Sequence, residues 1–154
     1  MIRTAVLSLL FASISVFATA LPATAADSPT AKRPVQTKAA KKHKVIFQVS
    51  DNDPGKWNLA LNNVRNVQQD LGEGNVEIEI VAYGPGLGML KMDSTVGNRV
   101  SEALSTGVKV MACENTMTNQ KLSREDMLSS IGYVKAGVVE LMEKQKQGWS
   151  YIRP

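Results

Sequence analysis

The chain has 154 residues but only one cysteine, Cys113, and only one histidine, His43. A single cysteine excludes an intramolecular disulfide and leaves three states for the thiol in an exported protein: buried, paired with another chain, or available for chemistry. The single histidine excludes more. It lies in a polar segment with no second ligand type nearby, so a Ser-His-Asp or Cys-His machine has no base and hydrolytic zinc has no ligand set. The 13 acidic residues of 45–154 single out no catalytic pair. Asp51, Asn52 and Asp53 are turn formers and helix caps without a second acidic cluster at metal-ligand spacing. No metal site and no cofactor are implied. Cysteine chemistry alone survives the inventory.

Positive charge is also missing where a nucleic-acid binder would need it. The whole chain carries 18 Lys plus Arg against 14 Asp plus Glu, yet residues 45–154 carry 11 against 13. The basic excess belongs to the first 44 residues and forms no patch on a folded domain, which argues against nucleic acid as a partner.

Those first residues divide in two. Met1 to Arg3 is a short basic start, Val6 to Ala20 an uncharged apolar core, and Pro22-Ala23-Thr24-Ala25 ends in the small-x-small pattern of a signal-peptidase site. Residues 1–25 are therefore expected to be a cleaved signal peptide and the protein to be periplasmic. The apolar core is followed by a cleavage site rather than a stop-transfer pattern, and no later apolar run has spanning length, so no membrane span is expected. Residues 26–43 read as a basic linker of Ala, Lys, Pro, Thr and Ser with Val35 as its one large apolar side chain. Such a segment buries too little surface to offset the entropy of ordering, and disorder is expected.

Residues 44–154 have the length of one domain. Val45-Ile46-Phe47-Gln48-Val49 is a continuous apolar run, as in a strand covered on both faces. The turn Ser50 to Gly55 follows, and then Trp57, Ala60, Leu61, Val64, Val67 and Leu71 fall at helical spacing up to Gly72. Asn75 to Tyr83 alternates: Val76, Ile78, Ile80 and Ala82 share one side, Glu77, Glu79, Val81 and Tyr83 the other, with the first half of the strand partly exposed. After the glycine-rich Gly84 to Gly88 come a helix with Val96, Val100, Ala103 and Leu104 on one face and a strand ending at Cys113. Ser123 and Asp126 form a capping-box pair for a short helix. Ile131 to Val134 is a fourth strand, Val138 to Gln145 a last helix, and Trp149 to Ile152 a closing strand or extended tail.

Alternation of this kind implies an α/β fold: a single domain with a mainly parallel sheet and helices on both faces. Ligands in such sheets bind outside the carboxyl ends of the strands. The turn at 50–55, the glycine loop at 84–88 and Cys113 with the polar turn Glu114 to Met117 are expected to meet there. Glycines at 84, 86 and 88 match neither the dinucleotide nor the mononucleotide fingerprint. The loop is either a plain turn or a set of exposed N–H groups that hold a small anion. Cys113 needs donors to become a thiolate near neutral pH, and the Asn115 to Met117 segment is placed to supply them. The alternative is a packed, inert thiol, since free cysteine is among the most buried residue types.

Tyr83-Gly84-Pro85-Gly86-Leu87-Gly88-Met89-Leu90, Ala112-Cys113-Glu114-Asn115-Thr116-Met117, Gly137-Val138-Val139-Glu140-Leu141 and Gly148 to Pro154 together resemble the DsrE/DsrF-like family. The resemblance spans almost all of residues 44–154 and is most specific at Cys-x-Asn-Thr. It implies a compact α/β domain that assembles as trimers or hexamers. In the sulfur-relay members it implies a cysteine that carries sulfur as a persulfide between donor and acceptor proteins. That position maps to Cys113, with Gly84, Gly86, Gly88, Asn115 and Thr116 shaping its pocket. The export signal sets this chain apart from those cytoplasmic members. A non-catalytic oligomeric binding or assembly module, with Cys113 merely packed, is the rival reading. Apolar residues expected near the crevice, Met89, Leu90, Met92 and Met117, suggest a surface for self-association.

Overall fold

The structure, a computed structural model, describes residues 41–154. The expected signal peptide at 1–25 and nearly all of the expected linker at 26–43 lie outside the described residues. Strand β1 spans His43–Val49 and so takes in the last residue assigned to the linker. Helix α1, Pro54–Leu71, begins where sequence chemistry favours it: Asp53 Oδ1 accepts from the Gly55 N–H at 2.8 Å, and Pro54 occupies the first turn, where a missing N–H costs nothing. Gly72 ends the helix at φ +83°, a conformation that costs a side-chain-bearing residue energy.

The remaining elements are β2 (Val76–Ala82), a 3-10 segment (Gly84–Leu90), α2 (Gly97–Ser105), β3 (Lys109–Cys113), α3 (Glu114–Asn119), a 3-10 turn (Arg124–Asp126), β4 (Gly132–Val134), α4 (Gly137–Lys146) and β5 (Ser150–Ile152). The five strands form one sheet in the order β4-β3-β2-β1-β5, and every pairing is parallel. This is the expected single-domain α/β architecture. Among the described residues no helix is long and apolar enough to cross a membrane.

Parity along the strands divides the core. Val45, Phe47, Val49, Val76, Ile78, Ile80, Ala82, Val110 and Ala112 face α1, α2 and the 3-10 segment in the larger cluster. Ile46 and Val81 face the other way and pack with Leu141 of α4 and Trp149. β1 is buried from Val45 to Val49 because both its faces are covered there. One helix, α4, serves that second face, packing across β1, β2, β3 and β5.

Two expectations change here. Met89 and Leu90 are wholly buried and Met117 nearly so, leaving Met92 alone of that group at the surface, 67% exposed. The 3-10 segment folds its apolar residues into the larger cluster instead of displaying them. The partly exposed first half expected for β2 holds at Glu77 but ends before Glu79, which is 1% exposed beneath α4. There it pairs with Lys144, which in turn bonds Glu140 at 3.3 Å.

Candidate functional site

Cys113 is the last residue of β3 and immediately precedes α3. Residues 114–117 were expected to be a polar turn; the chain instead enters a six-residue helix at once. The segment is too short to announce itself by periodicity. Side chains of residues 109, 111 and 113 point to the α4 face, so the thiol lies at the carboxyl end of the sheet beside the start of α4. It is 5% exposed.

The Gly137 N–H, in the first turn of α4, donates to Cys113 Sγ at 3.3 Å. That approach depends on a glycine. A Cβ at position 137 would stand 3.0 Å from both Cβ and Cδ1 of Tyr83. Thr116 adds a hydroxyl that accepts from the Gly84 N–H at 3.0 Å and keeps its own proton to donate.

Opposing influences act on the thiol. Burial pushes its pKa up, while the Thr116 hydroxyl and then the N–H groups of Gly137, Thr116 and Asn115 pull it down; the net direction is downward. Of these donors, the Gly137 N–H is the one with full hydrogen-bond geometry to sulfur among the described residues. The Asn115 N–H is mainly engaged with the Lys135 carbonyl, at 3.2 Å, and is the smallest of the five influences. Glu114, the nearest negative charge in sequence, is turned away to Arg124 at 2.9 Å.

The three segments expected at the carboxyl edge do converge. Gly86 N–H bonds Ser50 O and Tyr83 O, both at 3.1 Å, and Gln120 Nε2 bonds Gly84 O at 3.1 Å. The individual glycines play different parts. Gly84 joins Thr116 at the cysteine, whereas Gly86 is a close-packing position where a Cβ would fall 2.4 Å from Val49 O. Gly88 lies against Asn52 and Trp57. The N–H groups of Gly84 and Gly86 are thus occupied within the chain, which favours the packing role of this loop over an anion cradle. Asp53 caps α1, and Asp51 pairs with Lys56 at 3.0 Å and Arg153 at 3.3 Å.

Tyr83, Gly137 and Arg153 were not singled out as site residues by sequence reasoning. Tyr83 follows β2 in extended conformation, and its N–H bonds Val49 O at 3.1 Å, continuing the ladder. Strand parity was the signal available: it places Tyr83 on the Cys113 side. The larger cavities lie elsewhere. One of about 250 Å³ runs between α1 and α2, lined by Leu61, Arg65, Gln68, Arg99 and Ala103 among others. Another of about 380 Å³ opens at the amino ends of the strands near Val76, Lys109 and Trp149. Cys113 lines neither, and its position at the carboxyl ends of the strands is the stronger indicator of chemistry.

Comparison with known proteins gives a consistent result. The model of the DsrE/DsrF-like family matches residues 43–154. A solved protein of unknown function from Methanobacterium thermoautotrophicum is 36% identical, covers 73% of this chain and 100% of its own, and superposes with a TM-score of 0.70. A conserved protein of unknown function from Bacteroides thetaiotaomicron is 17% identical, over 72% of this chain and 94% of its own, with a TM-score of 0.58. The ychN protein from E. coli is 10% identical, over 74% of this chain and 99% of its own, with a TM-score of 0.59. These last two show the fold alone. No curated protein matches the chain.

Proposed function

The chain belongs to the DsrE/DsrF-like family, and from that premise we propose that it is a periplasmic sulfur carrier that takes up sulfane sulfur as a persulfide on Cys113. The family is associated with sulfur relay. One observation carries the reading to this residue: the only thiol stands at the carboxyl edge of the sheet, with its pKa lowered by the Thr116 hydroxyl and the Gly137 N–H against the opposing effect of burial. Thiolate is the form that attacks sulfane sulfur. The leader read at residues 1–25 supports the periplasm as the compartment. N-terminal sequencing of the protein recovered from a periplasmic fraction tests it; a chain that begins at Met1 contradicts it.

Self-association belongs to the same proposal, with trimers ahead of hexamers. Support comes from α4, which covers one sheet face yet leaves Val138, Val139 and Met142 54%, 50% and 52% exposed. Three half-exposed apolar side chains on one short helix form the sort of patch that marks an interface.

The 5% exposure of Cys113 favours a second reading, in which the thiol only packs and the protein is a non-catalytic assembly module. Alkylation of the native protein separates the two. Labelling under native conditions, rising with pH to a midpoint below that of a free cysteine, supports the carrier. Labelling only in denaturant supports the packed thiol.

A further inference from the structure

Two tyrosines stand on the α4 face of the sheet. Tyr151 of β5 donates its hydroxyl to Gln48 Oε1 and is thereby occupied. Tyr83 is not: its ring is half-buried, and its hydroxyl has no hydrogen-bond partner among the described residues. The register of β2 with β3 pairs Val81 with Met111 and Ala82 with Ala112, so one further step sets Tyr83 beside Cys113. Neighbouring strands are about 4.8 Å apart, and parity sends both side chains to the α4 face. The Tyr83 ring also lies against Gly137, the residue whose N–H holds Cys113 Sγ. Cysteine, its backbone donor and an uncommitted phenol therefore form one contiguous group.

We propose that Tyr83 is a catalytic group whose hydroxyl donates a hydrogen bond to the outer sulfur of a persulfide on Cys113. This rests on the reading of Cys113 as a sulfur acceptor. The donor class is a small-molecule or protein persulfide, R–S–SH. The Cys113 thiolate attacks the outer sulfur, the Sγ–S bond forms, the donor S–S bond breaks, and R–S⁻ leaves with the electron pair. Cys113 sulfur is oxidised to the persulfide level while the inner sulfur of the donor is reduced to the thiol level, and no further oxidant is required. The new Cys113 persulfide then releases its proton to water. Its anionic outer sulfur extends one bond beyond Sγ, out of reach of the donors already committed there, and needs a partner of its own. A hydrogen bond to a charged acceptor is among the stronger kinds.

The surroundings suit a donor. Burial, and then the neighbouring Tyr151, raise the Tyr83 pKa, with Arg153 opposing; the phenol therefore keeps its proton through neutral and mildly alkaline pH. The charged side chains that act on Tyr83 are Arg153 and Asp51, and Asp51 is tied to both Arg153 and Lys56.

Tyr83→Phe tests the proposal, since it keeps the ring against Gly137 and deletes only the hydroxyl. The Cys113 persulfide is prepared in the full chain by two routes: uptake from glutathione persulfide, and displacement by sulfide of a 2-mercaptopyridine mixed disulfide on Cys113. Alkylation of the loaded and unloaded proteins is then followed against pH. Loss of the hydroxyl is expected to lower the ionised persulfide fraction about tenfold at a given acidic pH, a rise of about one unit in the persulfide midpoint, and to leave the unloaded thiol's profile unchanged. Persulfide profiles that coincide in the two proteins overturn the proposal. So does a shift shared equally by thiol and persulfide, which marks a packing effect on Sγ. If wild type loads by sulfide displacement but takes no sulfur from glutathione persulfide, the carrier reading fails while the Tyr83 comparison is still made on the displaced product. A Cys113 that loads by neither route overturns both.

Discussion

The backbone N–H of Gly137 points at the sulfur of Cys113 from 3.3 Å, joining the first turn of α4 to the end of β3 across 24 residues of sequence. α4 is thus both the cover of one sheet face and the source of a donor to the thiol. The geometry at the cysteine depends on how firmly that helix is seated.

Gly137→Ala is therefore expected to raise the thiol pKa. Its methyl group would meet the Tyr83 ring at 3.0 Å, and relieving the overlap moves the N–H away from sulfur. Overpacking of this kind costs about 1–3 kcal/mol of stability. The sign for reactivity follows from the direction of the wild-type shift. Because the folded thiol is more acidic than an ordinary cysteine, alkylation rises with pH and levels early, and the variant should level later. Thr116→Val should shift the midpoint the same way, with the Gly84 N–H left unpaired as well. Midpoints equal to wild type in both variants would remove these donors from the account.

The seat of α4 is the buried Glu79 and Lys144 pair. Lys144 also bonds Glu140 and lies 4.5 Å from the centre of the Trp149 ring, while Glu79 Oε1 has no partner among the described residues. Lys144→Met leaves a buried carboxylate uncompensated and should destabilise the fold by about 3–5 kcal/mol near neutral pH in urea titrations. Burial raises the Glu79 pKa. In the variant the folded state therefore holds a proton that the unfolded state gives up, so stability falls as pH rises from the unfolded pKa to the folded one. The loss should be smaller in acid. Glu79→Leu combined with Lys144→Met should recover most of it; a double variant no more stable than the single one would contradict the pairing.

Self-association is expected to run through α4. Val138→Glu with Met142→Glu places two charges on its exposed face and should convert trimers or hexamers to monomers in light scattering, with circular dichroism unchanged. An assembly unaffected by both charges would move the interface elsewhere.

Much of this architecture was legible in the sequence. The run Val45 to Val49 in β1, apolar except for Gln48, the alternation in β2, and the helical spacing and Gly72 stop of α1 are local signals, and they led to a mainly parallel sheet with Cys113 at its carboxyl edge; the turn read at 50–55 is shorter than expected, because α1 already begins at Pro54. The capping-box pair Ser123 and Asp126 is present, with Ser123 N–H to Asp126 Oδ2 at 2.7 Å, although it opens a 3-10 turn rather than an α-helix. What escaped was long-range. Glu79 looks like a surface residue until Lys144, 65 positions later, is brought over it. Met89 and Leu90 look like interface residues until the 3-10 segment turns them inward. Gly137 stands one residue before the helix read at Val138 to Gln145, and only the fold shows that its missing side chain makes room for Tyr83 beside the thiol.

The central claim is that Cys113 accepts sulfur, and intact-mass measurement tests it most directly. Reduced protein exposed to glutathione persulfide should gain the mass of one or more sulfur atoms, removable by reductant, with uptake rising with pH through the Cys113 midpoint. Cys113→Ser should gain none while keeping the wild-type assembly. A wild-type protein that shows no reductant-sensitive gain from neutral to mildly alkaline pH would contradict the account and leave the packed-thiol assembly module in its place.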